Sequence, residues 1–170
     1  MSKFRMTVTD PEAWGRESRM QLYLGDLLWQ QFASLRSLPT KNQKQMEEEV
    51  ASLAGAMLHW GYAIENAAKA ALVSVDPNVA IDGKVKVHKL NDLVERSLGT
   101  QGAPVKDVLN RLTEYVVWAG KYQAPLFEKA FERAEKGKLQ SVKHPTDREI
   151  IQELYDKLHA HGGTIASLSN

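Results

Sequence analysis

Cysteine is absent from the 170-residue chain. No disulfide, thiolate metal site or cysteine nucleophile can therefore form, which is compatible with a reducing cytosol. Net charge is nearly absent as well, at +1 from 22 basic and 21 acidic residues. That balance supplies no global field to draw the protein onto nucleic acid or an acidic membrane, so any anion site has to be a local patch. Residues 1–10 hold Lys3, Arg5 and Asp10 and no apolar run, and so do not read as a secretory leader. No stretch approaches the length of a membrane-spanning helix. Also missing are the phosphate-cradling loops G-x-x-x-x-G-K and G-x-G-x-x-G, the zinc signature H-E-x-x-H, internal repeats and low-complexity tracts. These absences lead to the expectation of a cytoplasmic protein with no membrane contact, no metal and no cofactor.

What is present suffices for one core: 43% of residues are hydrophobic and 25% charged, which separates the chain from disordered sequences. The apolar spacing is helical. Asp10 caps and Pro11 opens a first helix, with Met20, Leu24, Leu27, Leu28, Leu35 and Leu38 as its apolar face and Pro39 as its stop. The second helix runs from about Asn42 to about Val75 without a proline. Val50, Leu53, Ala54, Met57, Gly61, Ile64, Ala68, Ala71, Leu72 and Val75 hold the period. Residues 79–87 read as a loop with a turn at Asp82-Gly83. Further helices are predicted at about His88–Leu98, from Pro104 to Gly120, at about Leu126–Lys136, and from Pro145-Thr146-Asp147 to Gly162-Gly163. The expectation is one all-α domain over residues 1–170, an up-and-down bundle of five to six helices with its core over about 11–161 and loose tails.

Several groups carry chemical interest. Glu65 and Lys69 stand four apart on the long helix. They read either as a helix-surface pair contributing roughly 0.2–0.5 kcal/mol or as a polar pair in a cleft. His59, Tyr62 and Asn66 are placed on nearly the same side. Lys84, Lys86, His88 and Lys89 form one basic cluster, and Arg133, Lys136, Lys138, Lys143 and His144 a second. Each is either a phosphate site or a solvated loop. Tyr115, Trp118, Tyr122 and Phe127 suit a helix corner or base stacking. His159 and His161 sit two apart and read as solvated helix-end histidines or as weak metal ligands.

Three motifs occur in order. The long helix carries Glu65 and Lys69 as E-x-x-x-K. The next helix opens His88-Lys89-Leu90-Asn91-Asp92-Leu93, resembling an H-D-L signature with Lys89 in place of the acid. Trp118-Ala119-Gly120-Lys121-Tyr122 is similar to W-x-G-R-Y, with Lys121 for arginine. Over roughly residues 45–127 the chain resembles HEPN-like proteins, the higher eukaryote and prokaryote nucleotide-binding superfamily. The resemblance implies a helical bundle that is usually homodimeric and belongs to a bacterial stress, toxin–antitoxin or phage-defence system. It implies a nucleotide, RNA or protein partner, with Glu65, Lys69, His88, Lys89, Trp118, Lys121 and Tyr122 as binding residues.

Ribonuclease members of that superfamily carry R-x(4–6)-H, the arginine stabilising phosphate charge and the histidine moving protons. No arginine stands five to seven residues before any histidine here. The nearest cationic substitute is Lys138 before His144, and lysine lacks the bidentate fork. The expected function is thus a non-catalytic interaction module. The alternatives are a divergent metal-independent ribonuclease using His88 or His144, and a helical protein–protein adaptor displaying an exposed tryptophan. Glu65 and His88 are expected to meet across one groove.

Overall fold

The computed structural model describes residues 2–119 and 146–168. Among them all regular structure is helical, with seven α-helices and one π-helical turn, as an all-α bundle requires. They are α1 (Lys3–Val8), α2 (Pro11–Arg36), α3 (Gln43–Val75), α4 (Asn78–Ile81), α5 (Leu90–Leu98), α6 (Ala103–Glu114), the π-turn Tyr115–Ala119 continuing α6, and α7 (Thr146–Leu168).

The long helix α3 is the axis of the molecule. Asn42 caps it reciprocally with Gln45: the Gln45 amide donates to Asn42 Oδ1, and the Asn42 amide to Gln45 Oε1. Met57, Trp60, Ile64 and Ala68 of α3 meet Leu90, Leu93 and Val94 of α5, Leu109 and Leu112 of α6, and Ile151 and Leu158 of α7 in one apolar core. A smaller cluster of Val73, Ala80 and Val85, with Trp14 against it, closes the other end. Val50 and Val75, expected on the core stripe, are exposed; around Val50 it is Glu49 and Ser52 that turn inward, Glu49 meeting Arg36 of α2.

Helix α2 lies antiparallel to α3, as the pairs Ser18–Ala63, Gly25–Trp60 and Arg36–Glu49 establish. It starts where expected, with Asp10 accepting from the Glu12 amide. Its packed face, however, is only partly the expected leucine stripe: Leu35 is buried and Leu28 packs against the core. The buried residues of α2 are Gly15, Ser18, Gly25 and Leu35. Met20, Leu24, Leu27 and Leu38 are exposed instead. The reason is the Trp60 indole, which is wholly buried and occupies the groove above Gly25. A Cβ built on Gly25 would stand 2.4 Å from Trp60 Cδ1. At Gly25 only a small residue lets α2 approach α3 this closely, so Met20, Leu24 and Leu27 turn outward while Leu22, Leu28 and Trp29 pack against the core.

Other departures have local causes. The N-terminal tail contains α1, capped by Ser2 and tied to α2 through Trp14 Nε1, which donates to the Val8 carbonyl. Residues 78–81 form α4 rather than loop, because Asp76 accepts from the Asn78 amide and Ala80 packs beside Val73. The turn at Gly83, with φ of 73°, is as expected. Helix α7 does not stop at Gly162-Gly163 but continues to Leu168. There α3 supports it: a Cβ on Gly162 would lie 3.7 Å from Ala71 Cα, and such contact overrides the weak helix propensity of glycine. The helix expected at about Leu126–Lys136 lies outside the described residues.

Two histidines occupy the seams of α2. His59 Nδ1 is 2.6 Å from Gln21 Oε1, and burial lowers its pKa. His159 stacks on Tyr155 with ring centroids 4.4 Å apart. Its Nε2 is buried without a hydrogen-bond partner among the described residues, so it is not the solvated helix-end residue expected; His161 is exposed. Burial first, and then the Arg19 guanidinium, lowers the pKa of His159. Both folded values thus lie below the unfolded value of about 6.5. The unfolded chain binds more protons in that window, so this part of the stability is complete above about pH 6.5 and lost as pH falls below it. The melting temperature is expected to drop between about pH 7.5 and about pH 5.5, and less steeply in a His59→Gln/His159→Gln variant. Equal slopes for the two proteins would contradict this assignment.

Candidate functional site

The site forms where the C-terminal half of α3 meets the segment entering α5. Glu65 and Lys69 are buried, at 4% and 7% exposure, so the surface-pair reading does not hold. Lys69 Nζ donates to Glu65 Oε1 at 2.6 Å and sits 5.2 Å from the centroid of the Trp14 ring. Burial without partners would penalise both charges heavily, and each here neutralises the other.

His88 completes the group. Its Nδ1 lies 3.0 Å from Glu65 Oε2 and 3.2 Å from Oε1, the meeting expected from the motif order. An ionised carboxylate only accepts, so Nδ1 carries the proton facing it. In the neutral imidazole Nε2 is then a bare acceptor, and no protein group among the described residues bonds to it. The His88 side chain remains 57% exposed. The arrangement is a half-open imidazole whose inner nitrogen is anchored by a buried carboxylate.

Cations flank this histidine. Lys84, Lys86 and Lys89 are exposed. Lys84 pairs with Asp82 at 3.4 Å, whereas Lys86 and Lys89 form no ion pair among the described residues. Lys89 is also the N-cap of α5 and gives no side-chain cap. The Leu90 amide is taken by Thr113 Oγ1 at 3.2 Å. The first turn of α5 carries the positive end of the helix dipole together with the acidic Asp92.

Not all expected site residues converge. His59 turns into the α2 seam rather than toward Glu65, because six residues of helix rotate it by about 120°. Asn66 is buried and Tyr62 half-buried on α3. Trp118 belongs to the π-turn, but its side chain lies outside the described residues, as do Lys121, Tyr122, His144 and the second basic cluster. Of the other tryptophans, Trp60 is fully buried and Trp14 and Trp29 are half-buried, so none of these three is the exposed docking residue the adaptor reading needs.

Two polar groups escaped sequence reasoning. Arg111 of α6 grips Asp147 of α7 with Nη1–Oδ2 and Nη2–Oδ1 distances of 2.5 and 2.8 Å. Asp26 accepts from Trp60 Nε1 at 2.9 Å and from Arg148 at 2.8 and 2.7 Å. Their partners are 36, 34 and 122 residues apart in sequence, which no local spacing reveals. Both clamp helices together. Among the described residues no group of three His, Asp or Glu side chains is placed to hold a metal ion, and no helix is long and apolar enough to cross a membrane. No family model matches the chain, and comparison with curated proteins and with solved structures also gives no match.

Proposed function

We propose that the chain is a HEPN-like helical interaction module that binds a phosphate-bearing ligand, a nucleotide or RNA, at the mouth formed by Lys86, His88 and Lys89. The observation that carries this reading is the exposed His88, anchored on the buried Glu65–Lys69 pair and flanked by two lysines that form no ion pair among the described residues. A phosphate set there would accept from both ammonium groups and lie near the positive end of the α5 dipole. The Glu65–Lys69 pair fixes the histidine without adding net charge, so the lysines decide the sign of the local field. The role in a bacterial stress, toxin–antitoxin or phage-defence system follows from the family resemblance.

Thermal unfolding with mono- and dinucleotides and a short RNA tests it. A ligand at about 100 times its dissociation constant stabilises the native state by about 2.7 kcal/mol. The melting temperature should rise with at least one of these ligands, and the Lys86→Ala/Lys89→Ala variant should lose the rise while melting normally alone. Unchanged melting with every ligand would overturn the reading and redirect the search to a protein partner.

One feature favours a divergent ribonuclease as the second reading. A carboxylate on Nδ1 leaves Nε2 suited to accept a proton from a 2′-hydroxyl, while Lys86 and Lys89 hold the phosphate. RNA cleavage abolished by His88→Ala would select it. Cleavage undiminished in a His88→Ala/His144→Ala variant would eliminate it.

A further inference from the structure

His59, Tyr62 and Asn66 share one side of α3, and the phosphate site uses none of them. At i, i+3 and i+7 they fall within about 60° of arc, on a stripe about 10 Å long. Helix α2 forms the wall beside this stripe. Trp14 meets Lys69, Ser18 meets Ala63 and Gln21 meets His59, so the half-buried Glu17 lies in register with Tyr62 and Asn66.

The polar groups of this trough are arranged to accept hydrogen bonds. Gln21 Nε2 donates to Glu17 Oε1 at 2.6 Å, which leaves Gln21 Oε1 to accept from His59 Nδ1 at 2.6 Å. Through the amide, the carboxylate thus fixes which imidazole nitrogen carries the proton. Burial lowers the pKa of His59, so at neutral pH its Nε2 is a bare acceptor. Independently, Asn66 is 9% exposed, yet its amide forms no hydrogen bond among the described residues. A buried amide is ordinarily paired, so this one calls for a partner from outside the fold. Glu17 forms no ion pair among the described residues, and the ammonium one turn beyond Asn66, on Lys69, is taken by Glu65.

We propose that the trough between Glu17 and Gln21 of α2 and His59, Tyr62 and Asn66 of α3 binds a guanidinium group. Glu17, His59 Nε2 and Asn66 Oδ1 all accept, and the one charge among the five side chains is the Glu17 carboxylate. A guanidinium offers a planar fork of N–H donors, carries the complementary charge and stacks on aromatic rings such as that of Tyr62. An ammonium gathers its donors at one atom, whereas these acceptors are spread along a helix. An anion would meet the carboxylate and a nitrogen without a proton. The proposal goes beyond the phosphate site and does not rest on it, since the two share no side chain.

Nitrogen-15 spectra of the side-chain amides and imidazoles, titrated with butylguanidine and with its uncharged analogue butylurea, test the proposal. Butylguanidine should shift the Asn66 and Gln21 amides and the His59 ring saturably, with residues 86–93 unmoved. It should bind at least about tenfold more tightly than butylurea, the effect of one charge-assisted hydrogen bond. Glu17→Gln keeps an acceptor for Gln21 and should erase that preference, with helicity unchanged by circular dichroism. A blocked arginine tripeptide titrated in parallel separates the sources: tighter binding than butylguanidine assigns a protein side chain, weaker binding a free small molecule. No saturable shifts from either guanidinium compound, equal affinity for butylurea, or a preference that survives Glu17→Gln would overturn the proposal.

Discussion

Glu65→Leu is expected to destabilise the fold by about 3–5 kcal/mol, because it leaves a buried ammonium without its counterion. The Lys69 side chain is 8% exposed and has Trp14 at 5.2 Å from its Nζ, so it cannot reach water without disturbing α2. The reverse change, Lys69→Met, strands the carboxylate but leaves His88 beside it, and should cost less. Removing both charges together removes the desolvation penalty of both. The Glu65→Leu/Lys69→Met variant should therefore recover most of the loss. Urea unfolding of the four proteins closes a double-mutant cycle with a coupling energy of about 3 kcal/mol or more. A single Glu65→Leu variant within about 1 kcal/mol of wild type would mean that Lys69 escapes to solvent.

Trp60→Ala should be comparably severe, at about 3–5 kcal/mol. The indole is fully buried, lies 5.4 Å from the Trp29 ring centroid, and donates its Nε1–H to Asp26. Its loss opens a cavity between α2 and α3 and removes one bond from the Asp26–Arg148 clamp. The same residue determines what Gly25 tolerates. In wild type a methyl group on Gly25 would collide with the indole at 2.4 and 2.7 Å, so Gly25→Ala should destabilise. Once Trp60 is alanine the collision is gone and the better helix propensity of alanine, about 1 kcal/mol, should show. Gly25→Ala is thus expected to change sign between the two backgrounds. Equal effects in both, measured by chemical unfolding, would contradict the close approach of α2 to α3.

Helix existence was legible wherever local chemistry decides it. Asn42 and Gln45 announce the start of α3, Asp10 and Pro11 that of α2, and Gly99 with φ of 79° the end of α5. The meeting of Glu65 with His88 was legible from motif order. Which side of a helix packs was less so. Periodicity finds the bulkiest stripe, and on α3 that stripe is the core. On α2 only its Leu28 and Leu35 pack while Met20, Leu24 and Leu27 face outward, because the large residue in the α2–α3 seam is supplied by α3 and needs glycine opposite. Burial of the Glu65–Lys69 pair was equally hidden: an i, i+4 spacing is the same on a solvated face and beneath Trp14. Arg111–Asp147 and Asp26–Arg148 join helices far apart in sequence and leave no local trace.

Phosphate-bearing ligands are proposed to bind where Lys86, His88 and Lys89 meet the first turn of α5. The most direct measurement is a nitrogen-15 chemical-shift titration with the nucleotide or RNA that gives the largest thermal stabilisation. The expected result is a saturable set of shifts confined to the amides of residues 86–93 and the His88 ring, with the far end of α2 unmoved. Saturable shifts clustered elsewhere, with residues 86–93 silent, would contradict the assignment of this site.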